Sequence, residues 1–438
     1  MRNCSRWEPD RGWVVPRRRP YVLIIAPIVA AALFFFTQPC SAQGRDENSC
    51  YDCHVRLGGN LKDSAVGWQL GIHSKVGVTC DSCHGGNPFT STNDSMSEDY
   101  GFVGSFTPAE SARLCASCHS DVNLMRQYNL RTDQYDEYLT SEHGRLLNQG
   151  NTRVATCISC HGVHEIRKKN DPRSTVFHTN VPETCAKCHA DKELMDRYGK
   201  PHDQYEIYRK GYHGKILYGE IRGKNPLIVP SCATCHGIHG ARPPGVDEVA
   251  NVCGSCHTNI YRFFNAGPHA RAVNETGEPR CVDCHGNHSN AYPSLELFSG
   301  TEPGKCGFCH EEEGAEYLLG QELKERLEGL KSSVDEIVIR AQEARDAGRS
   351  AERLNNAESA LRAAYIQMIP ITHAVDLEIL RPLFADARDQ VKIAQEEFET
   401  IRAEKERRKR VATVAVTLLL LFAGLLVVKL FQLDRSEE

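Results

Sequence analysis

The hydrophobic pattern changes character several times along the chain. Arg17, Arg18 and Arg19 precede a mostly apolar run from Tyr21 to Thr37, and Cys40-Ser41-Ala42 ends in a small residue suited to signal peptidase. Residues 1–42 therefore predict a secretory signal with Gln43 as the new N-terminus; an uncleaved N-terminal membrane anchor is the alternative. Residues 43–310 carry no sustained stripe and are punctuated by Gly, Pro and Asn, which predicts short helices and turns with little sheet.

At residue 311 the character changes to Glu, Ala, Arg and Leu. Leu323, Leu327, Leu330, Val334, Ile337, Ala341 and Ala344 step by four and three, the heptad stripe of a helix that packs on another helix. After Asp346-Ala347-Gly348-Arg349-Ser350 a second stripe runs through Leu354, Ala357, Leu361, Ala364, Met368, Ile371 and Val375. It resumes at Val391, Ala394, Phe398 and Ile401. Residues 311–410 thus predict an antiparallel helical hairpin, structural or dimerising, with Pro370 and Pro382 kinking its second arm. Val411 to Phe431 is apolar apart from two threonines and Lys429, long enough for a transmembrane helix, and residues 432–438 then form a cytoplasmic tail. The signal places the preceding domains outside. The basic run Lys405 to Arg410 lies on the outer flank, against the positive-inside tendency, but a large exported domain is not held back by later charges. That run is expected to touch anionic lipid headgroups or a partner subunit.

Cysteine usage decides the chemistry. Of 20 cysteines in 438 residues, 18 fall in nine repeats of C-x-x-C-H. These are Cys50-Cys53-His54, Cys80-Cys83-His84, Cys115-Cys118-His119, Cys157-Cys160-His161, Cys185-Cys188-His189, Cys232-Cys235-His236, Cys253-Cys256-His257, Cys281-Cys284-His285 and Cys306-Cys309-His310. Each is a c-type haem attachment signal: two thiols add to the haem vinyl groups and the histidine reaches the iron. Zinc ribbons and disulfide frameworks have no need of a histidine after each second cysteine. Nine covalently bound haem c groups are expected, at about 29 residues each. That is too little chain for an aliphatic core around every cofactor, so the porphyrins must supply much of the buried apolar surface. The remaining Cys4 and Cys40 leave with the signal.

The motifs are arranged in a repeat. Units start at Cys50, Cys115, Cys185 and Cys253, with a truncated one at Cys306, and each passes a lone histidine before its second motif. Leu124 to Tyr128 echoes Leu194 to Tyr198, and Asp133-Gln134-Tyr135 echoes Asp203-Gln204-Tyr205. Nineteen histidines less nine proximal ones leave ten to cap the irons. His73, His143, His213 and His269 share one place in the units, in the pattern histidine, small residue, base. The small residue is expected to let backbone approach the porphyrin, and the base to pair with a propionate. His164, His239 and His288 stand three residues after a proximal histidine, as C-x-x-C-H-G-x-H, and must serve an adjacent haem. His178 completes the supply together with His373, which otherwise reads as an exposed helical histidine. His202 aligns with Thr132 of the preceding unit and reads as incidental. Nine distal candidates then face nine motifs, which predicts bis-histidine irons at low potential. Met125 and Met195 sit at apolar helix positions and read as core.

With these motifs the stretch 50–310 resembles the multihaem c-type cytochromes, in particular those with doubled C-x-x-C-H motifs and C-x-x-C-H-G-x-H pairs. The resemblance implies close-packed haems that form an electron wire. It also implies electrons arriving from a membrane quinol or membrane oxidoreductase and leaving to periplasmic or outer-membrane redox partners. Many tethered members carry an N-terminal anchor, and this chain departs from that. The rival resemblance is to pentahaem nitrite reductase and octahaem hydroxylamine oxidoreductase, which also place long helices after their haems and keep one iron open. No C-x-x-C-K motif occurs. A formal net charge of −5 gives no basic excess for nucleic acid.

The expected architecture is mainly α. A haem-packed cytochrome domain over 43–310 leads into the helical hairpin and a C-terminal single-pass anchor on the periplasmic face of the bacterial inner membrane. The hairpin also offers a route to an oligomer. No residue is expected to be catalytic in the carrier.

Overall fold

The computed structural model describes residues 48–242, 252–290, 292, 294–300, 304–346 and 352–434. The expected signal, with Cys4 and Cys40, and residues 435–438 of the expected tail lie outside them. Among the described residues the chain is helical and has no strand.

The second motif of each complete unit is a five-residue helix: Cys80–His84, Cys157–His161, Cys232–His236 and Cys281–His285. Helices this short do not form unaided, and the motif's own sequence caps them. The Thr79 N–H donates to Ser82 Oγ at 3.1 Å and the Thr156 N–H to Ser159 Oγ at 3.0 Å. The Ser231 N–H likewise donates to Thr234 Oγ1 at 3.0 Å, and the Arg280 N–H to Asp283 Oδ2 at 2.6 Å. The residue before each second cysteine thus holds the backbone that enters the motif. A glycine ends each of these helices, at φ 67° for Gly85, 82° for Gly162, 85° for Gly237 and 72° for Gly286. Side chains with a Cβ rarely adopt that backbone, so the G of C-x-x-C-H-G is a conformational requirement.

The first motifs of the first three units occupy longer helices, Ser49–Leu57, Pro108–His119 and Val181–His189, whereas that of the fourth is the four-residue helix Cys253–Cys256. Between the motifs, two units repeat the same tie. Buried Tyr138 donates its hydroxyl to Ala155 O at 2.9 Å, and Tyr208 donates to Pro230 O at 2.7 Å. Met125 and Met195 are both buried. In two units the small residue after the lone histidine is also required by the fold. A Cβ on Gly144 would lie 2.1 Å from Tyr138 O, and one on Gly214 2.1 Å from Tyr208 O. Arg145, expected to pair with a propionate, pairs with Glu142 at 2.5 Å.

Apolar cores in this domain are small: one gathers Ala112, Tyr138 and Leu147, another Ile216, Leu217 and Val229. The C-terminal region differs. All seven positions of the first heptad stripe, Leu323 through Ala344, are buried in one continuous core. The second arm contributes Leu354, Ala357, Leu361 and Met368 to it.

The expected hairpin turns out to have three arms, Ala315–Asp346, Glu352–Ile371 and Leu377–Asp434. The prolines do not merely kink the second arm. Just after Pro370 the helix gives way to a 3-10 turn, Thr372–Ala374, and Val375 takes a left-handed backbone at φ 49°, ψ 47°. The chain then runs back along the second arm, and Arg353 pairs with Glu397 at 3.2 Å. Leu380, Phe384 and Ala387 of the third arm complete the core, filling the gap between the two sequence stripes. One helix continues without a break into the exposed apolar stretch from Val411 to Val428. The helix Leu377–Lys429 is long and apolar enough to cross a membrane.

The motif-bearing domain docks on this bundle through its last segment. Leu295 and Phe298 pack on the bundle core, Lys324 pairs with Glu296 at 2.7 Å, and Gln321 Nε2 donates to Phe298 O at 3.2 Å. At the second reversal Gly267 lies so close to Ala374 that a Cβ would fall 2.6 Å from its carbonyl oxygen.

Candidate functional site

A single connected cavity of about 4740 Å³ runs through the motif-bearing domain, and the cysteines and histidine of all nine motifs line it. The walls are mostly apolar side chains, with Tyr138, Tyr208, Leu295 and Phe298 among them.

Inside it the histidines face each other in pairs. The lone histidine of each unit meets the first motif of the next. His73 lies 6.2 Å from His119 between ring centroids, His143 6.1 Å from His189, His213 6.2 Å from His257 and His269 6.2 Å from His310. The C-x-x-C-H-G-x-H histidines reach the other way, to the second motif of the preceding unit. His164 lies 6.3 Å from His84, His239 6.3 Å from His161 and His288 6.0 Å from His236. An eighth pair joins His285 to His373 of the helical bundle at 6.1 Å. Two imidazoles that bind one metal from opposite sides, each at about 2 Å, place their ring centroids about 6 Å apart. The residues present therefore fit a six-coordinate haem iron between each pair.

Electrostatics agree with that use. Burial holds His73, His143, His161, His285 and His373 below the ordinary imidazole range, with a facing or nearby histidine adding to the effect. A neutral imidazole is the form that ligates iron. Carbonyls fix the tautomer in several rings, because a carbonyl accepts only from a ring N–H. His84 Nδ1 donates to Gly104 O at 2.7 Å, and His373 Nδ1 lies 3.2 Å from Pro370 O. Each leaves Nε2 for a metal.

The sulfurs also adjoin from motif to motif. Burial first, then a neighbouring motif's sulfur, pushes Cys80 up to about 11 beside Cys50 and Cys160 to about 11 beside Cys185. Cys235 rises to about 11 beside Cys253 in the same way. Cys83 is raised by burial and by Cys118, and Cys284 by burial and by Cys306. The sulfurs of Cys115 and Cys157, Cys185 and Cys232, and Cys253 and Cys281 adjoin as well. Neighbours therefore run in chain order from the first motif to the ninth. None of the 18 described cysteines is in a disulfide. Among the described residues no group of three or more His, Cys, Asp or Glu side chains converges as a metal-ion site, as a zinc ribbon would require.

All 19 histidines of the chain lie in the described residues. Three are left over from the pairing. His178, expected as a distal ligand, is instead held outside the cavity wall, with Nε2 donating to Val229 O at 2.7 Å. His202 also lies outside the wall, in keeping with its incidental place in the repeat. His54 lines the cavity and forms no ring pair with another histidine, although it stands close enough to His164 to help lower that imidazole. The direction of pairing, forward for lone histidines and backward for the others, was not visible in the motif spacing. Only the need of each C-x-x-C-H-G-x-H histidine for a haem other than its neighbour's hinted at it.

Vicinal cysteines on short helices, paired with buried neutral histidines across a shared cavity, define a multihaem c-type cytochrome domain. Residues 72–190 match the family model for cytochrome c3. That segment holds four of the nine motifs and little over a quarter of the chain. No solved structure matches the chain. With the cysteines, the match supports a cytochrome that carries covalently bound haem c and transfers electrons.

Proposed function

We propose that the chain is a nonahaem electron relay, tethered by its C-terminal helix to the periplasmic face of the bacterial inner membrane. It passes electrons between a membrane quinol or oxidoreductase and periplasmic or outer-membrane redox partners. The observation that carries this reading is the set of eight histidine pairs at 6.0–6.3 Å within one cavity, next to sulfurs that adjoin in chain order.

Bound haem supplies one-electron chemistry. The protein's part is to fix and insulate it. Each motif would hold one haem by two thioethers and a proximal histidine. The distal positions fall to His73, His143, His164, His213, His239, His269, His288 and His373. Two imidazoles on iron favour low potentials and leave no room for substrate at those eight irons. The exposed apolar stretch from Val411 to Val428 supports the tether.

Mass spectrometry and haem quantitation of the mature membrane-extracted protein test the count, with nine haems expected and a smaller number overturning it. Potentiometric titration in mild detergent should show reduction spread over a low-potential range. Ending the chain before Val411 should release the holoprotein from membranes; retention of that variant would refute the tether.

A further inference from the structure

Seven of the eight histidine pairs join neighbouring units, and the eighth joins His285 to His373 of the bundle. First motifs take theirs from the unit before, as His119 takes His73, and second motifs take theirs from the unit after, as His84 takes His164. Residues 1–49 hold neither a C-x-x-C-H motif nor a histidine. His54 lines the cavity without a facing histidine, His178 is committed to Val229 O, and His202 lies outside the wall. The segments outside the described residues contain no histidine.

The wall around the first motif is formed by the helix Gly59–Leu70, which follows it directly. Leu61, Ser64, Ala65 and Trp68 of this helix line the cavity. Trp68 donates its indole N–H to Val78 O at 2.9 Å, so it offers a ring face and no free polar edge. Met96 also lines the cavity, from a loop whose start is tied to the motif by the Ser49 N–H on Pro88 O at 3.0 Å. It is 44% exposed, unlike the buried Met125 and Met195.

We infer that the haem held by Cys50, Cys53 and His54 keeps its sixth position for a small ligand from outside the chain, of the class that gives one lone pair to ferrous iron. This rests on the nonahaem reading above. It makes the first haem a binding site at one end of the series, farthest in chain order from the bundle.

The test is carbon monoxide titration of the dithionite-reduced holoprotein, with EPR of the oxidised form and a haem count on the same sample. The expected result is one CO per chain, a high-spin ferric signal from one haem in nine, and loss of both in the variant Cys50→Ser/Cys53→Ser. His178→Ala and His202→Ala should leave the CO count unchanged. A haem count below nine refutes the relay's stoichiometry, separately from this inference. With nine haems present, an all-low-spin spectrum without CO binding overturns the inference, whether a second copy or a partner supplies the ligand. So does a near-infrared thioether–iron band that disappears in Met96→Leu. Retention of CO binding after removal of Cys50 and Cys53 would place the open site on another haem and also overturn it. The spectra of the intact protein keep the question decidable should that double variant fail to fold.

Discussion

The two ends of the motif series are treated differently. Both lack a neighbouring unit that could lend a histidine. At the C-terminal end the missing unit is replaced. His285 would draw on the second motif that the truncated fifth unit lacks, and His373, brought in by the reversal at Thr372–Ala374, faces it at 6.1 Å. At the N-terminal end nothing equivalent faces His54. The contrast teaches that a repeat that exchanges ligands between units is complete only in its middle. Its ends must be capped by something foreign to the repeat or left open. The long helices are therefore more than a spacer: they close one end of the redox array and lead from that end into the apolar helix. The strained backbone at Val375, unusual for a β-branched residue, marks where the chain is bent to do this.

The largest expected effect removes the contrast. His373→Ala should make the two ends alike. A second high-spin haem should appear by EPR, CO uptake should rise by one per chain, and the potential of the affected haem should rise with the loss of an imidazole. The covalent haem count should stay the same, because Cys281 and Cys284 are untouched. An unchanged spin state would show that His373 is a buried bystander.

Much of this was legible in the sequence. The motif spacing singled out the 18 cysteines and nine following histidines that line the cavity, and the heptad stripe named seven of the eight buried residues of the first bundle arm, all but Gly320, because both patterns are local. What escaped depends on distant contacts. The second reversal follows from a local break at Thr372–Ala374 combined with packing of Leu380, Phe384 and Ala387, positions that a heptad reading passed over. His178 looked like a ligand because it filled a deficit in a count. Its commitment to Val229 O joins residues 51 apart in sequence, and no spacing rule reports that.

A smaller effect sharpens the dependence of the capped end on the bundle. Leu361 is fully buried between the arms. Leu361→Ala should destabilise the bundle by about 2–5 kcal/mol. On heating, the high-spin signal from the haem of His285 should then appear at a lower temperature than in the unaltered protein. The first haem should be indifferent. Simultaneous loss of all low-spin signals would mean that the bundle and cytochrome domain unfold as one.

A smaller change again tests whether the middle of the array is held locally. Thr107 caps the helix Pro108–His119, which carries the third motif, and its N–H donates to Glu110 Oε2 at 2.8 Å. Thr107→Ala should cost about 1 kcal/mol, seen as a modest drop in melting temperature, with the spin states at both ends unaltered.

The smallest effect is the pH dependence of that same cap. Hydrogen bonds from the Thr107 hydroxyl, then from its backbone N–H, hold the Glu110 carboxyl below its ordinary value. A carboxylate lowered in the folded state adds stability that is fully present above its unfolded pKa. That stability is lost as pH falls through the folded value. Acid melts from pH 7 downward should therefore show a slightly smaller loss for Glu110→Gln than for the unaltered chain, confined to the carboxylate range. Glu110 is exposed, so salt should shrink the difference further. Neither end of the array should respond in that window: His54 and His373 lie in the cavity wall, away from this cap. A spin-state change at either end that tracks Glu110 would tie the ends to the middle and weaken the view that each end is settled by what faces it.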